Sequence, residues 1–236
     1  LSEHRPELLF RRLQIALHTG RRERAGRLAD RLRSEGGPYA DAADRLLYRQ
    51  AVRRWERDRS SASARREVVR YGRAVIERLG STEEALADPA VLSVHSVVAE
   101  AATGLWRDEG NREMLETALR MDGAILNAAP SSRDALERVA RNAEDAGDPQ
   151  RALEAWKRLL AGREAGTDPW FEARFESLRL LVDLDPVKAR RALEQHRTLY
   201  PAYGPAPWGD RIAELGAELD AGGVGSVTGG GREDDG

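Results

Sequence analysis

The stretch "GDPQRALEAWKRLL", residues 147–160, holds a glycine, an Asp-Pro pair and then a run whose apolar members Ala152, Trp156 and Leu159 recur at helical spacing. An Asp just before a helix can accept the free amide hydrogens of the first turn. Pro fits the first helical position, where no hydrogen bond is lost. Gly147 supplies the turn, and the apolar spacing puts one face of the following helix against a neighbour. Asp-Pro recurs at Asp88-Pro89, Asp168-Pro169 and Asp185-Pro186, each ahead of a helical pattern. Ala, Leu, Arg and Glu dominate, and β-branched alternation is hard to find before residue 220, so an all-α chain follows. The pattern predicts helices over 6–19, 21–35, 38–58, 62–79, 91–107, 112–128, 131–146, 149–163, 169–183, 186–199 and 208–220, with a short turn near Glu83–Leu86. Links of a few residues force consecutive helices into antiparallel hairpins.

Sliding the chain along itself shows that the opening stretch is a copy of a recurring unit. "ALRMDGAILNAAP" starts at Ala118 and "ALEAWKRLLAGRE" at Ala152, an offset of 34 residues. The next start, Ala189, lies 37 further on, and the distances from Ala118 to Pro130 and from Ala189 to Pro201 are both twelve. "VRYGRAVIERLG" from Val69 lies over "LRMDGAILNAAP" from Leu119. A period near 34 in helix-turn-helix form is the length of one helical hairpin.

In these residues the chain resembles the tetratricopeptide repeats, whose second helix carries a small residue, a bulky one four later, an apolar or small one after three more, and then often Pro. Ala152, Trp156 and Leu159 fit, as do Ala189, Leu193 and Pro201 with His196 in the third slot, and Ala118, Ile125 and Pro130. Leu136, Val139, Ala140 and Ala143 look like the first-helix set. Asp122 stands in a bulky slot and Glu164 where Pro is usual. The likeness is good over about 91–201 and weak over 1–80. It implies a right-handed α-α superhelix, a solenoid of about five helical hairpins plus a C-terminal capping helix. A single hairpin cannot bury its apolar face alone, so each must stack on the next. Trp55, Trp106 and Trp156 are then core residues between layers. Ile212, Leu215 and Leu219 give the last helix one apolar side with which to close the stack. The expected division is 1–80, degenerate basic hairpins; 81–220, the better repeats with their cap; and 221–236, a flexible Gly-rich tail.

The resemblance further implies a non-catalytic protein-interaction scaffold, holding a partner peptide or protein on a concave face lined by first helices. Projected onto the two best copies, the groove positions are Glu100, Thr103 and Arg107, then Glu137, Arg141 and Glu144. This set lacks the Lys and Asn arrangement with which some members clamp a C-terminal carboxylate pair. Packing spacers between solvated charges are the plain alternative for all six.

Charge points to a second reading. Residues 1–80 hold 20 Arg and 11 acids, whereas the rest holds 18 basic and 29 acidic residues, so the net charge of −2 hides a dipole. Arg45, Arg49, Arg53 and Arg57 recur every four residues, with shorter stripes at Arg24, Arg27 and Arg31 and at Arg66, Arg70 and Arg73. Stacked hairpins could join them into a face for a polyanion, nucleic acid or an acidic segment. Against this, the chain has 36 Arg and two Lys, and carboxylates such as Asp41 and Glu23 stand one turn from Arg45 and Arg27, so a solvated face explains the stripes. A third reading is a spacer within a larger protein.

Catalytic and cofactor patterns are missing from the sequence. His4, His18, His95 and His196 lack metal-ligand spacing, no cysteine exists, and Glu83-Glu84, Asp108-Glu109 and Glu144-Asp145 read as turn or cap charges. The glycines of "AGGVGSVTGGGREDDG" follow no strand and match neither nucleotide fingerprint. The expectation is no enzyme and no cofactor. No run is apolar for long enough to span a membrane. No basic-then-apolar leader opens the chain, and its start at Leu1 suggests a processed form or a piece of something larger. Absence of cysteine leaves the compartment open, with the cytosol favoured.

Overall fold

A computed structural model describes residues 5–80 and 82–224. Among them the chain forms helices only: α1 (Arg5–His18), α2 (Arg22–Glu35), α3 (Pro38–Arg57), α4 (Ala62–Leu79), the single turn α5 (Glu83–Leu86), α6 (Pro89–Glu109), α7 (Arg112–Ala128), α8 (Arg133–Asp145), α9 (Pro149–Ala161), α10 (Asp168–Leu184), α11 (Pro186–Leu199) and α12 (Trp208–Val224). Local chemistry sets the starts. Asp88 accepts from the Ala90 amide, Asp148 from Arg151 and Asp185 from Lys188, while Ser61 and Asn111 do the same for α4 and α7. The fourth Asp-Pro pair differs. Asp168 is the first residue of α10, Thr167 takes the cap position, and its hydroxyl turns back to the Glu164 carbonyl at 2.8 Å.

Gly147 performs the turn expected of it. Its φ of +79° lets the Asp148 amide return to the Ala143 carbonyl at 2.8 Å, closing α8, and the same Asp148 then caps α9. One left-handed residue thereby ends one helix and aims the next.

The helices pack as two compact units divided at Pro130 and Ser131. In the first, the hairpins α1/α2, α3/α4 and α6/α7 stack in chain order, with α2 against α3 and α4 against α6. One continuous core runs from Leu9 and Leu13 of α1 through Leu47 and Trp55 of α3 and Val68 of α4 to Ala118 and Met121 of α7. The expected boundary at residue 80 is one of composition and repeat quality; α4 and α6 pack side by side across it. In the second unit α8/α9 packs on α10, which pairs with α11 and is covered by α12. Ile212 and Leu215 of α12 join Phe171, Phe175, Leu178 and Leu193 in its core. Among the described residues there are therefore five hairpins and a capping helix. The capping helix runs on to Val224, and the remainder of the expected tail lies outside the described residues.

Burial confirms the repeat register. The small positions Ala118, Ala152 and Ala189 are all fully buried, as the close approach of helix axes requires. Four residues on, Asp122, Trp156 and Leu193 are buried, and three further Ile125, Leu159 and His196 are buried too. In α4 the aligned positions Val68, Gly72 and Val75 follow suit. Gly72 stands where α4 crosses its neighbours: a Cβ there would meet Val98 Cγ2 of α6 at 2.2 Å and Tyr48 of α3 at 3.2 Å. Trp55 and Trp156 are core, whereas Trp106 is only half-buried.

A buried carboxylate ties the first two hairpins together. Asp44 of α3 is fully buried and receives Arg33 Nε of α2 at 2.7 Å and Arg78 Nε of α4 at 2.9 Å. Arg33 also reaches Asp30, and Arg78 reaches Asp41 at 2.7 Å.

Candidate functional site

In the first unit, the first helices of three successive hairpins, α1, α3 and α6, together with the end of α4, line a groove of about 770 Å³. That size suits a small ligand or a short side-chain-bearing segment. Phe10, Ala42, Leu46, Val75, Leu79, Val91 and Val94 give it an apolar lining, and Arg45 and Arg49 border it along α3. Tyr48 also lines it; burial, and then the Glu56 carboxylate, hold its hydroxyl well above the ordinary tyrosine pKa, so it remains a neutral donor.

Arg45, Arg49, Arg53 and Arg57 on α3 are exposed. Among the described residues no carboxylate lies within ion-pair reach of Arg45, Arg49, Arg53 or Arg57. Asp41, the neighbour expected one turn before Arg45, is taken by Arg78 from the next helix. Glu23 does approach Arg27, at 3.7 Å. The four-residue stripe does not keep to one groove. Each step of four residues advances the helix by about 40° beyond a full turn, roughly 120° over the stripe. Accordingly Arg45 and Arg49 border the apolar groove, while Arg57 lines a different cleft.

The positions projected from the repeat pattern sit in contrasting surroundings. On α6, Glu100 is exposed and paired with Arg59 at 3.0 Å, Arg107 is exposed, and Thr103 is buried at 5% exposure. Thr103 is interior because α6 is covered on two sides, by α4 and α7. On α8, all three positions are engaged with charges of the second unit. Arg141 bonds Glu137 at 2.9 Å and Glu172 of α10 at 3.2 Å, and Arg163 approaches the same two carboxylates at 3.8 and 3.5 Å. Glu144 accepts from Arg179 of α10, which also holds Glu176 at 2.8 Å. Burial alone would pull the Arg179 pKa down, but the two hydrogen-bonded carboxylates outweigh it and hold it above its ordinary value. This charge lattice joins the first helices of consecutive hairpins. A ligand there must displace existing partners; one beside Arg45 and Arg49 need not.

Of the histidines singled out in the sequence, His95 and His196 are structural. His95 is buried with Nδ1 on the Val91 carbonyl at 3.0 Å, and His196 is buried with Nε2 donating to the Tyr203 carbonyl at 2.9 Å. His18 is exposed, and His4 lies outside the described residues. Asp108 and Glu109, expected as solvated turn charges, pair across helices with Arg65 and Arg66. Among the described residues no group of His, Asp and Glu has the makings of a metal site, and no helix is long and apolar enough to cross a membrane.

Stacked helical hairpins with grooves between first helices define the class: an α-helical repeat protein, similar to the tetratricopeptide repeats in period and burial. No known protein family matches the chain, and no curated protein does. Two solved structures are similar over most of its length. One is a thermophilic TPR protein of Thermus thermophilus, with a TM-score of 0.42 and 18% identity over 89% of this chain and 98% of that one. The other is the assembly chaperone of RpL4, residues 1–338, with a TM-score of 0.36 and 16% identity over 93% of this chain and 96% of that one.

Proposed function

We propose that the chain is a non-catalytic protein-interaction scaffold whose first-helix faces hold a segment of a partner protein. The observation that supports this most is the groove between α1, α3 and α6, with its apolar lining and two arginines that no carboxylate of the described residues neutralises. Apolar surface supplies the drive for docking, and unpaired guanidinium groups at the border select for carboxylates without first breaking internal ion pairs. Glu100, Arg107, Glu137, Arg141 and Glu144 are secondary contact positions in this reading.

The test is affinity capture with the full chain, compared with three variants: Val94→Glu in the groove, Arg45→Glu/Arg49→Glu at its border, and Glu137→Ala/Arg141→Ala/Glu144→Ala on α8. Partners held by the groove are lost from the first two and kept by the third. Recovery of the same proteins by all four chains overturns the reading. The unpaired arginines of α3 favour one other reading, polyanion binding through Arg45, Arg49, Arg53 and Arg57. Capture that nuclease treatment abolishes, with a steep fall as salt rises, would select it instead.

A further inference from the structure

The first unit has a second cleft, of about 560 Å³, sharing no residue with the apolar groove. Its walls are α2, α3 and α4 with the end of α1, and five arginines face three carboxylates around it: Arg22, Arg27, Arg54, Arg57 and Arg70 against Glu23, Asp30 and Glu67. Three stripes that are far apart in sequence, on α2, α3 and α4, converge here. The pairings are unequal. Arg54 is held by Glu67 at 2.6 Å with only 19% of its side chain exposed. The Arg27–Glu23 and Arg70–Asp30 separations are 3.7 and 3.6 Å, too long for good hydrogen bonds, and all four side chains are well solvated. Arg22 and Arg57 have no carboxylate within ion-pair reach among the described residues. Four guanidinium groups can therefore turn to a ligand at little cost.

An independent observation marks the same place. Tyr71 is 8% exposed, lines the cleft, and its hydroxyl has no hydrogen-bond partner among the described residues. The ring is buried while the hydroxyl opens into the cleft, so a solvated donor with no partner among the described residues faces whatever enters it. Opposite it stands Gly26, where a Cβ would come within 4.0 Å of the Tyr71 hydroxyl oxygen. The missing side chain leaves room in front of the donor. Burial raises the Tyr71 pKa, which keeps the hydroxyl protonated and able to donate.

We propose that this cleft binds a compact polyphosphate anion, a di- or triphosphate group, with the Tyr71 hydroxyl and Arg57 as inner donors and Arg22, Arg27 and Arg70 closing around it. Planar guanidinium forks suit the many oxygens of such a group better than the two of a carboxylate. The group could belong to free inorganic triphosphate or to a nucleotide, and both present the same chemistry to these residues.

Isothermal titration calorimetry on the full chain at low salt, with inorganic triphosphate in one arm and a nucleoside triphosphate in the other, tests the site. Saturable binding at one per chain is expected, equal in the two arms if only the phosphates are read and tighter for the nucleotide if the base is held too. Tyr71→Phe, which keeps the buried ring, and Arg57→Ala should each weaken binding by about tenfold. Gly26→Leu, filling the space before the hydroxyl, should abolish it while far-UV circular dichroism and the melting curve stay those of the parent. Arg45→Glu/Arg49→Glu should leave it unchanged. The proposal is overturned by three results: no saturable binding at low salt, binding indifferent to Tyr71→Phe and Gly26→Leu, or loss proportional to any arginine removed, which marks general counter-ion exchange. Because the cleft and the apolar groove share no residue, failure here leaves the scaffold reading standing, and the reverse holds.

Discussion

Replacing Asp44 by Ala tests how the first two hairpins are joined. The carboxylate side chain is 1% exposed and each of its oxygens takes one guanidinium, Arg33 from α2 and Arg78 from α4. Removing one partner of a buried ion pair costs about 3–5 kcal/mol, because the other charge is left without its counter-charge in a poorly hydrated place. Two features reduce the penalty here. The arginine side chains keep 24% and 32% exposure, and each retains a second carboxylate, Asp30 and Asp41 respectively. Both arguments place the loss at the lower end, about 3 kcal/mol. In a chain of this size that lowers the melting temperature by roughly 6–12 °C. Urea denaturation followed by far-UV circular dichroism gives the free energy, and hydrogen exchange gives the location: amides of α2, α3 and α4 should lose protection first. Asp41→Ala is the control. Asp41 is 46% exposed and among the described residues pairs only with Arg78, so it should cost less than about 1 kcal/mol. A loss for Asp44→Ala no greater than for Asp41→Ala would refute the reasoning, and would mean that apolar packing alone joins the hairpins.

Three other outcomes follow from particular residues. Gly147→Ala should cost about 1–2 kcal/mol from its positive φ, while Gly147→Asn costs clearly less; a Cβ would touch nothing within 4 Å, so equal losses in a thermal melt would point to some cause other than backbone conformation. Gly72→Ala should destabilise by about 1–3 kcal/mol through overpacking against Val98, and Val98→Ala in the same chain should restore part of it; a double-mutant cycle without coupling contradicts the close crossing. Burial, aided by Arg174, holds the His196 pKa below its ordinary value although its Nε2 bonds Tyr203. The unfolded chain therefore binds that proton first, so stability is full above the unfolded value near pH 6.5 and declines as pH falls from there toward the folded one. Measured from pH 7.5 to 5, the decline should be smaller in His196→Gln, and identical slopes in the two proteins would exclude His196 as its source.

What could be read from the sequence, and what could not, divides by the range of the interaction involved. Helix starts and stops are written within four residues: Asp148 and Gly147 need only their own neighbours to cap, turn and cap again. Repeat register was legible for a related reason, since Ala118, Ala152 and Ala189 must be small wherever two helices cross closely, and all three are fully buried. Asp44 falls in register with Ala40, Ala43 and Leu47 on the buried face of α3, but nothing nearby in the sequence announces its partners from α2 and α4. The pairing of Asp41 went the same way. An intrahelical rule offers it Arg45, yet Arg78 arrives from the adjacent helix and takes it, which is what leaves Arg45 unneutralised beside the groove. Thr103 was misplaced as a surface position because a helical pattern counts one buried face, whereas α6 is covered by a helix on each of two sides. The arginine cleft is the extreme case. Arg22, Arg57 and Tyr71 carry no mutual signal along the chain, and they meet only after two hairpins have stacked. In a repeat protein the packing surfaces recur and can be read by alignment of the chain with itself. Binding surfaces use positions that the packing leaves free, so they escape the period, and they become visible only once packing has decided which charges are already spoken for.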